Sequence, residues 1–254
     1  MRSASLWLTV ILLALASAAM APAARAAEGL YLSWVDCVLA PAARHDFAYA
    51  CTGNLGQQDL YCAFRMPASA DSVLGVEVVV DVVHADPALP EWWRFDPTGC
   101  RAGALVGHFD FTLKIGCADF LQGQAAGDVQ GYYVTQPHGA PNQARILAAA
   151  AVLPSAGYRQ LDATSMYYAA RLTILNTNTV PPEAVCQGCA SSACLVLNGI
   201  IIRRQPGAAG GDVYLSTPGE DNANFATWQG GAGANCAAVP VRAVTWGRVK
   251  SLYR

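Results

Sequence analysis

The sequence predicts an all-β protein. The expected form is an antiparallel β-sandwich (jelly-roll or immunoglobulin-like Greek key), disulfide-stabilised and ending in a short C-terminal helix. Three observations predict it. Apolar residues alternate with a period of two over several short runs, as in strands with one buried face. The 23 glycines and 14 prolines cut those runs short, as in many-stranded sandwiches rather than helical bundles. Nine cysteines follow an export pattern, which makes bridges the default state of the thiols.

The export pattern occupies residues 1–26. Arg2 supplies the positive start, and Leu6 to Leu15 is an apolar run too short to span a bilayer core. A-x-A cleavage sites end at Ala21 and Ala26. Pro22 disfavours the first, so Ala24-Arg25-Ala26 is the expected cut and Ala27 the first mature residue. The first cysteine after it is Cys37, too distant for a lipid-anchored start. No later apolar run is long enough for a membrane helix. The expected location is periplasmic or extracellular. Residues 27–254 read as one β-sandwich domain; two sandwiches split near Gly123 to Ala144 are the alternative.

Each expected strand has its own pattern. Leu30 to Trp34 is short, apolar and aromatic. Leu60 to Met66 places Leu60, Cys62, Phe64 and Met66 on one face. Val73 to His84 aligns Val76, Val78, Val80 and Val82, and its β-branching argues against a helix. Asp86 to Gly103 reads as a long loop. His108 to Ile115 returns to a strand pattern. Gly123 to Ala144, rich in Gly, Gln, Pro and Asn, reads mostly as loop. Arg145 to Leu153 carries an alanine run with helix propensity, but its position between Pro141 and Pro154 favours a strand. Met166 to Asn176 places Met166, Tyr168, Ala170, Leu172 and Ile174 on one face. Leu195 to Ile202, Asp212 to Ser216 and Phe225 to Gln229 complete the β pattern. Thr245 is positioned to cap a helix with Trp246, Val249 and Tyr253 on one side.

Composition narrows the function classes. The chain has 16 basic and 18 acidic residues, net −2, which gives no reason to expect nucleic acid. Charged residues make up 13% and apolar ones 54%, so the chain buries a core and is not disordered. There is no G-x-S-x-G, H-E-x-x-H or phosphate-binding glycine loop. No cofactor is expected. Glu77 and Asp81 share a strand face, but four residues along a strand separate them by roughly 13 Å, beyond both glycosidase spacings. A triad assembled in space from distant residues stays open.

Eight cysteines are expected in bridges and Cys62, on a core face, as the free thiol. The expected pairs are Cys37–Cys51, Cys100–Cys117, Cys186–Cys194 and Cys189–Cys236. Cys186-x2-Cys189 with Cys194 and Cys236 also fits tetrahedral zinc or a redox C-x-x-C. Its second half is one cysteine short, no thioredoxin-like βαβ pattern surrounds it, and an oxidising compartment favours bridges. No metal is therefore expected. Trp92 and Trp93, with Glu91 and Asp96 beside them, are the candidate ligand-binding residues, suited to stacking on a sugar ring. The favoured reading makes the pair a plug at one end of the sandwich; if the protein binds glycan, these are the residues expected to do so. Glu220 to Asn224 clusters side-chain oxygens that suit Ca²⁺ but reads as a turn.

Two resemblances follow. Leu161, Asp162 and Tyr167 resemble the tyrosine corner of immunoglobulin-like and fibronectin-type sandwiches, which implies a Greek-key arrangement. Over most of its length the chain resembles a group of secreted bacterial proteins with four shared motifs. These are L-S-W-x-x-C (Leu32 to Cys37), W-W (Trp92-Trp93), C-x-G-C (Cys186 to Cys189) and T-W-G-x-x-K-x-x-Y-R (Thr245 to Arg254). This resemblance implies export and a β domain. The expected function is a secreted, non-catalytic surface, matrix or ligand-binding module. The alternative is a glycan-binding protein or glycoside hydrolase that uses the Trp92-Trp93 loop. The expected partners are a glycan or a cell-surface component.

Overall fold

The structure, a computed structural model, describes residues 28–238. The expected signal peptide (1–26) and the expected helix from Thr245 to Tyr253 lie outside the described residues. The strands are β1 (Gly29–Trp34), β2 (Asp46–Phe47), β3 (Gln57–Arg65), β4 (Ala70–His84), β5 (Leu105–His108), β6 (Ala125–Val134), β7 (Gln143–Val152), β8 (Arg159–Leu161), β9 (Met166–Leu175), β10 (Ala193–Arg204), β11 (Val213–Leu215) and β12 (Phe225–Trp228). One sheet runs β1-β3-β9-β5. The other runs β2-β12-β10-β4-β7-β6, with β11 on β10 and β8 on β4. The pairings are antiparallel except β2 with β12. The fold is a disulfide-stabilised, all-β sandwich, as the sequence predicts.

Alternation explains the central strand. Val76, Val78, Val80 and Val82 of β4 are buried in the core shared by both sheets. Val80 sits between Ile146 of β7 and Leu197 of β10. The alanine run of β7 is a strand because its backbone is bonded to neighbours on both sides. That tertiary ladder overrides helix propensity.

The structure corrects three expectations. The strand placed at His108 to Ile115 is β5, Leu105–His108, and residues 109–115 are loop. Asp110 Oδ1 accepts the Thr112 N–H at 3.0 Å, an Asx turn that ends the ladder. The segment from Gly123 to Ala144 contains the ten-residue strand β6. Its core-packed residues Ala125, Val129, Tyr132 and Val134 are only partly buried, and a register shift between Val129 and Gly131 breaks their alternation, so its sequence reads as loop. Third, β9 does not keep one face. The register steps from Cys62↔Ala170 to Ala63↔Tyr168, a bulge that moves one residue out of phase. Met166 and Tyr168 therefore lie on the outer face, opposite Ala170, Leu172 and Ile174.

The sheet edges are covered. The Leu30 and Leu32 N–H groups of β1 donate to Thr217 and Ala223 carbonyls. On the other side, Gly107 of β5 donates its N–H to Asp128 Oδ1 of β6 at 2.7 Å. A side chain at Gly107 would place Cβ 2.8 Å from the Val129 nitrogen, so glycine permits this close approach. Such coverage removes templates for edge-to-edge association.

The tyrosine-corner geometry is present. Tyr167 Oη accepts the Asp162 N–H at 2.8 Å and donates to Asp162 Oδ2 at 3.0 Å. Asp162 also accepts the Thr164 and Ser165 N–H groups. Tyr167→Phe removes both phenol bonds and is expected to cost about 1–3 kcal/mol, read as a lowered urea midpoint with unchanged slope.

Candidate functional site

The expected ligand-binding tryptophans form a plug. The loop between β4 and β5 crosses the end of the sandwich where Trp34, His84, Leu175 and Trp228 terminate their strands. Pro90 leads into a 3₁₀ turn, Glu91–Trp93, which turns both tryptophans inward. Trp92 and Trp93 are 0% exposed. Trp92 stacks on Trp228 at 5.0 Å and meets Trp93 edge-on at 5.3 Å. Trp228 contacts Trp34 at 5.7 Å. Three indole N–H groups are satisfied: Trp92 by Thr179 Oγ1 at 3.1 Å, Trp228 by the Cys189 carbonyl and Trp34 by the Thr227 carbonyl, both at 2.8 Å. Both tryptophans are therefore enclosed by protein, the arrangement of the favoured plug reading, and neither presents an accessible ring to a sugar. Asp96 is also buried. Arg94 grips it at 2.6 and 3.0 Å and Thr98 at 2.7 Å. The Arg94 hydrogen bonds hold its carboxyl down to about 2. Of the four expected ligand residues, only Glu91 is exposed.

Arg101 closes the plug. It is 1% exposed and its guanidinium lies 3.7 Å over the Trp92 ring. Its donors go to backbone carbonyls: Thr177 at 3.1 Å, Trp92 at 2.9 Å, and Leu175. No carboxylate pairs with it among the described residues. Burial pulls its pKa down to about 9, still cationic at neutral pH. Three carbonyls and a tryptophan face thus substitute for a counter-ion. The sequence showed only an arginine in a loop; the one signal was its place beside Cys100.

The cysteines fasten this end. The bridges are Cys37–Cys117, Cys51–Cys189, Cys100–Cys186 and Cys194–Cys236, which replaces all four expected pairings. Sequence proximity misled because antiparallel packing brings distant segments together; these bridges span 42 to 138 residues. Cys186 and Cys189 bond to different partners, so neither a zinc knuckle nor a redox C-x-x-C is formed. No group of metal-ligating side chains occurs among the described residues. Cys62 is free and buried in the core. Burial pushes its thiol pKa far up, which keeps it protonated and unreactive.

The other singled-out acids are structural. Asp81 is fully buried, bonded to Arg145 at 2.6 and 2.7 Å and to Asn198. Glu77 pairs with Arg203 at 2.7 Å. His84 is buried, its Nδ1 accepts the Asp86 N–H at 3.1 Å, and burial lowers its pKa. Asn224 donates to the Leu197 carbonyl at 3.1 Å, which commits that turn to the core rather than to a cation.

Two accessible features were missed from sequence. In the loop after β5, Phe111 is buried against Tyr168, with ring centres 4.5 Å apart. Lys114 folds inward, 5.0 Å over the Tyr61 ring and 3.4 Å from Asp36 Oδ2. Leu113 and Ile115 point outward, 96% and 99% exposed. Leu39 is 56% exposed on the loop joined to this one by Cys37–Cys117. The lysine is half-buried while the apolar residues beside it stand in solvent, which inverts the usual order. At the opposite end from the plug, Glu28, Gly29, Tyr214, Leu215, Ser216 and Thr217 line a shallow cavity of about 100 Å³.

No family model and no curated protein matches the chain. A solved structure similar to it is a cohesin module from Clostridium perfringens ATCC13124 family 33 glycoside hydrolase. It is 7% identical, with 79% of this chain and 93% of that chain covered, at a TM-score of 0.33. A likeness at that score assigns neither ligand nor partner. No helix of the described residues is long and apolar enough to cross a membrane.

Two outcomes test the plug. Non-reducing peptide mapping should return the four pairs above, with Cys62 alkylated only after unfolding; any local pair such as Cys37–Cys51 contradicts the architecture. Arg101→Ala leaves three buried carbonyls without their donor and uncovers the Trp92 face. A loss of about 3 kcal/mol or more is expected, read in thermal or urea unfolding.

Proposed function

We propose that this protein is an exported, non-catalytic β-sandwich that works as a surface-binding module, delivered by the N-terminal segment 1–26. Four bridges suit an oxidising compartment outside the cytoplasm. The observation that carries the reading is the Leu113/Ile115 tip. Two nearly fully exposed apolar side chains stand on a support fixed by a disulfide, a stacked aromatic pair and an inward-turned lysine. Rigid presentation of apolar anchors lowers the ordering cost of association. The proposed partner is a component of the cell surface. The hydrolase alternative is less well supported, since Glu77, Asp81 and Asp96 are each tied into an arginine pair.

The test compares the wild type with a Leu113→Ser/Ile115→Ser variant for co-sedimentation with isolated envelopes of the producing cell. Stability should change by no more than about 0.5 kcal/mol, because both residues are exposed. Binding should weaken by roughly tenfold or more, as for interface anchors. An unchanged binding curve, or no envelope binding by the wild type, removes the proposal.

A further inference from the structure

The cavity at the end opposite the plug has a construction of its own. Its walls meet where the start of β1 runs parallel beside the segment after β11. The Leu30 N–H donates to the Thr217 carbonyl at 3.0 Å, and the Gly219 N–H donates to the Leu30 carbonyl at 2.9 Å. Gly29, at φ +136°, permits this close approach: a Cβ there would lie 2.8 Å from Gly219 N and the Pro218 carbonyl oxygen. The cleft is thus framed by bonded backbone, and buried Leu215 is part of its lining.

The side chains around it are unspent. Tyr214 is 50% exposed. Glu28 and Thr217 are exposed and Ser216 half-buried. Among the described residues, none of these four side chains is engaged in a hydrogen bond or ion pair. This contrasts with Glu77, Asp81, Asp96 and Asp162, each of which is committed to a partner. An accessible aromatic ring, an unpaired carboxylate and two hydroxyls around one small cavity combine an apolar face with convergent polar groups.

We propose that this cleft is a saccharide subsite that accepts one neutral sugar ring. Tyr214 offers its ring to the C–H face of the sugar. Glu28, as a carboxylate, accepts hydrogen bonds from sugar hydroxyls, and Ser216 and Thr217 both donate and accept. Seven residues line the cleft, Pro67 among them, a contact surface suited to one ring rather than a chain. The unpaired Glu28 charge selects against uronic and other acidic sugars by like-charge repulsion. The site shares no residue with the Leu113/Ile115 tip and stands without it.

The test is calorimetric or saturation-transfer NMR titration with six neutral probes: cellohexaose, maltohexaose, mannohexaose, xylohexaose, chitohexaose and galactohexaose. A galacturonic acid hexamer serves as the acidic control. Weak binding of at least one neutral probe is expected, with the acidic control at least tenfold weaker. Tyr214→Ala should reduce affinity tenfold or more and Glu28→Gln several-fold, while Tyr214→Phe, which keeps the ring, retains most of it. Circular dichroism and the unfolding midpoint verify that each variant is folded, and Thr217→Ala supplies a second probe should Tyr214→Ala fail to fold. The Leu113→Ser/Ile115→Ser variant should bind sugar as the wild type does, so failure here is distinguishable from failure of the tip. The assignment is overturned if no neutral probe binds, if the acidic hexamer binds equally, or if binding survives loss of the Tyr214 ring.

Discussion

The stacking of Arg101 on Trp92 is the interaction around which one end of the molecule is organised. A buried guanidinium without a carboxylate is costly unless its donors are met and its face is covered. Here the met donors fix the carbonyls of Trp92, Leu175 and Thr177, which belong to the plug loop and the segment leaving β9. Trp92 in turn stacks on Trp228 and so joins β12 of the larger sheet to the same cluster. Both sheets are thereby registered against each other at one end. Further along, the inward valines of β4 in the larger sheet share one core with Leu60, Leu172 and Ile174 of the smaller sheet.

The disulfides reinforce the same end rather than substituting for a core. Cys100–Cys186 and Cys51–Cys189 tie the segments that flank the plug loop, and Cys189 also accepts the Trp228 indole N–H. Cys37–Cys117 acts elsewhere, holding the loop after β5 over the outer face of the smaller sheet. That bridge is what allows Leu113 and Ile115 to stand out on an ordered support. The fastened loop on one face and the backbone-framed cleft at the end opposite the plug both present accessible side chains on an ordered support. Function on loops carried by a rigid scaffold is the common division of labour in sandwiches.

The candidate site shows where local reading stops. Trp92 and Trp93 looked like ligand residues because aromatic side chains beside acids suit sugars. The same residues suit a plug better, since tryptophan is usually buried, and the position of the loop across the end of the sandwich encloses them. Tyr214 was legible as part of a short strand, but nothing in Asp212 to Ser216 announces that Glu28, nearly two hundred positions earlier, lies beside it. Leu113 and Ile115 were misassigned for a related reason. Their alternation with Phe109 and Phe111 is the pattern of a strand, and the Asx turn at Asp110, which breaks it, is a two-residue signal inside that pattern.

By itself the sequence determined the β class, most strand positions, the inward valines of β4, the tyrosine corner and Cys62 as a core residue. These depend on alternation and on contacts within a few residues, which a chain carries locally. Tertiary structure alone decided the bulge in β9, the edge strand β6, the disulfide partners, the counter-ion-free burial of Arg101 and the outward turn of Leu113 and Ile115. Each of these depends on which distant segments become neighbours. The inward residues of β6 are out of phase across an irregularity, a bulge shifts phase without changing composition, and a cysteine cannot specify which of eight others the folded backbone will bring within bonding distance.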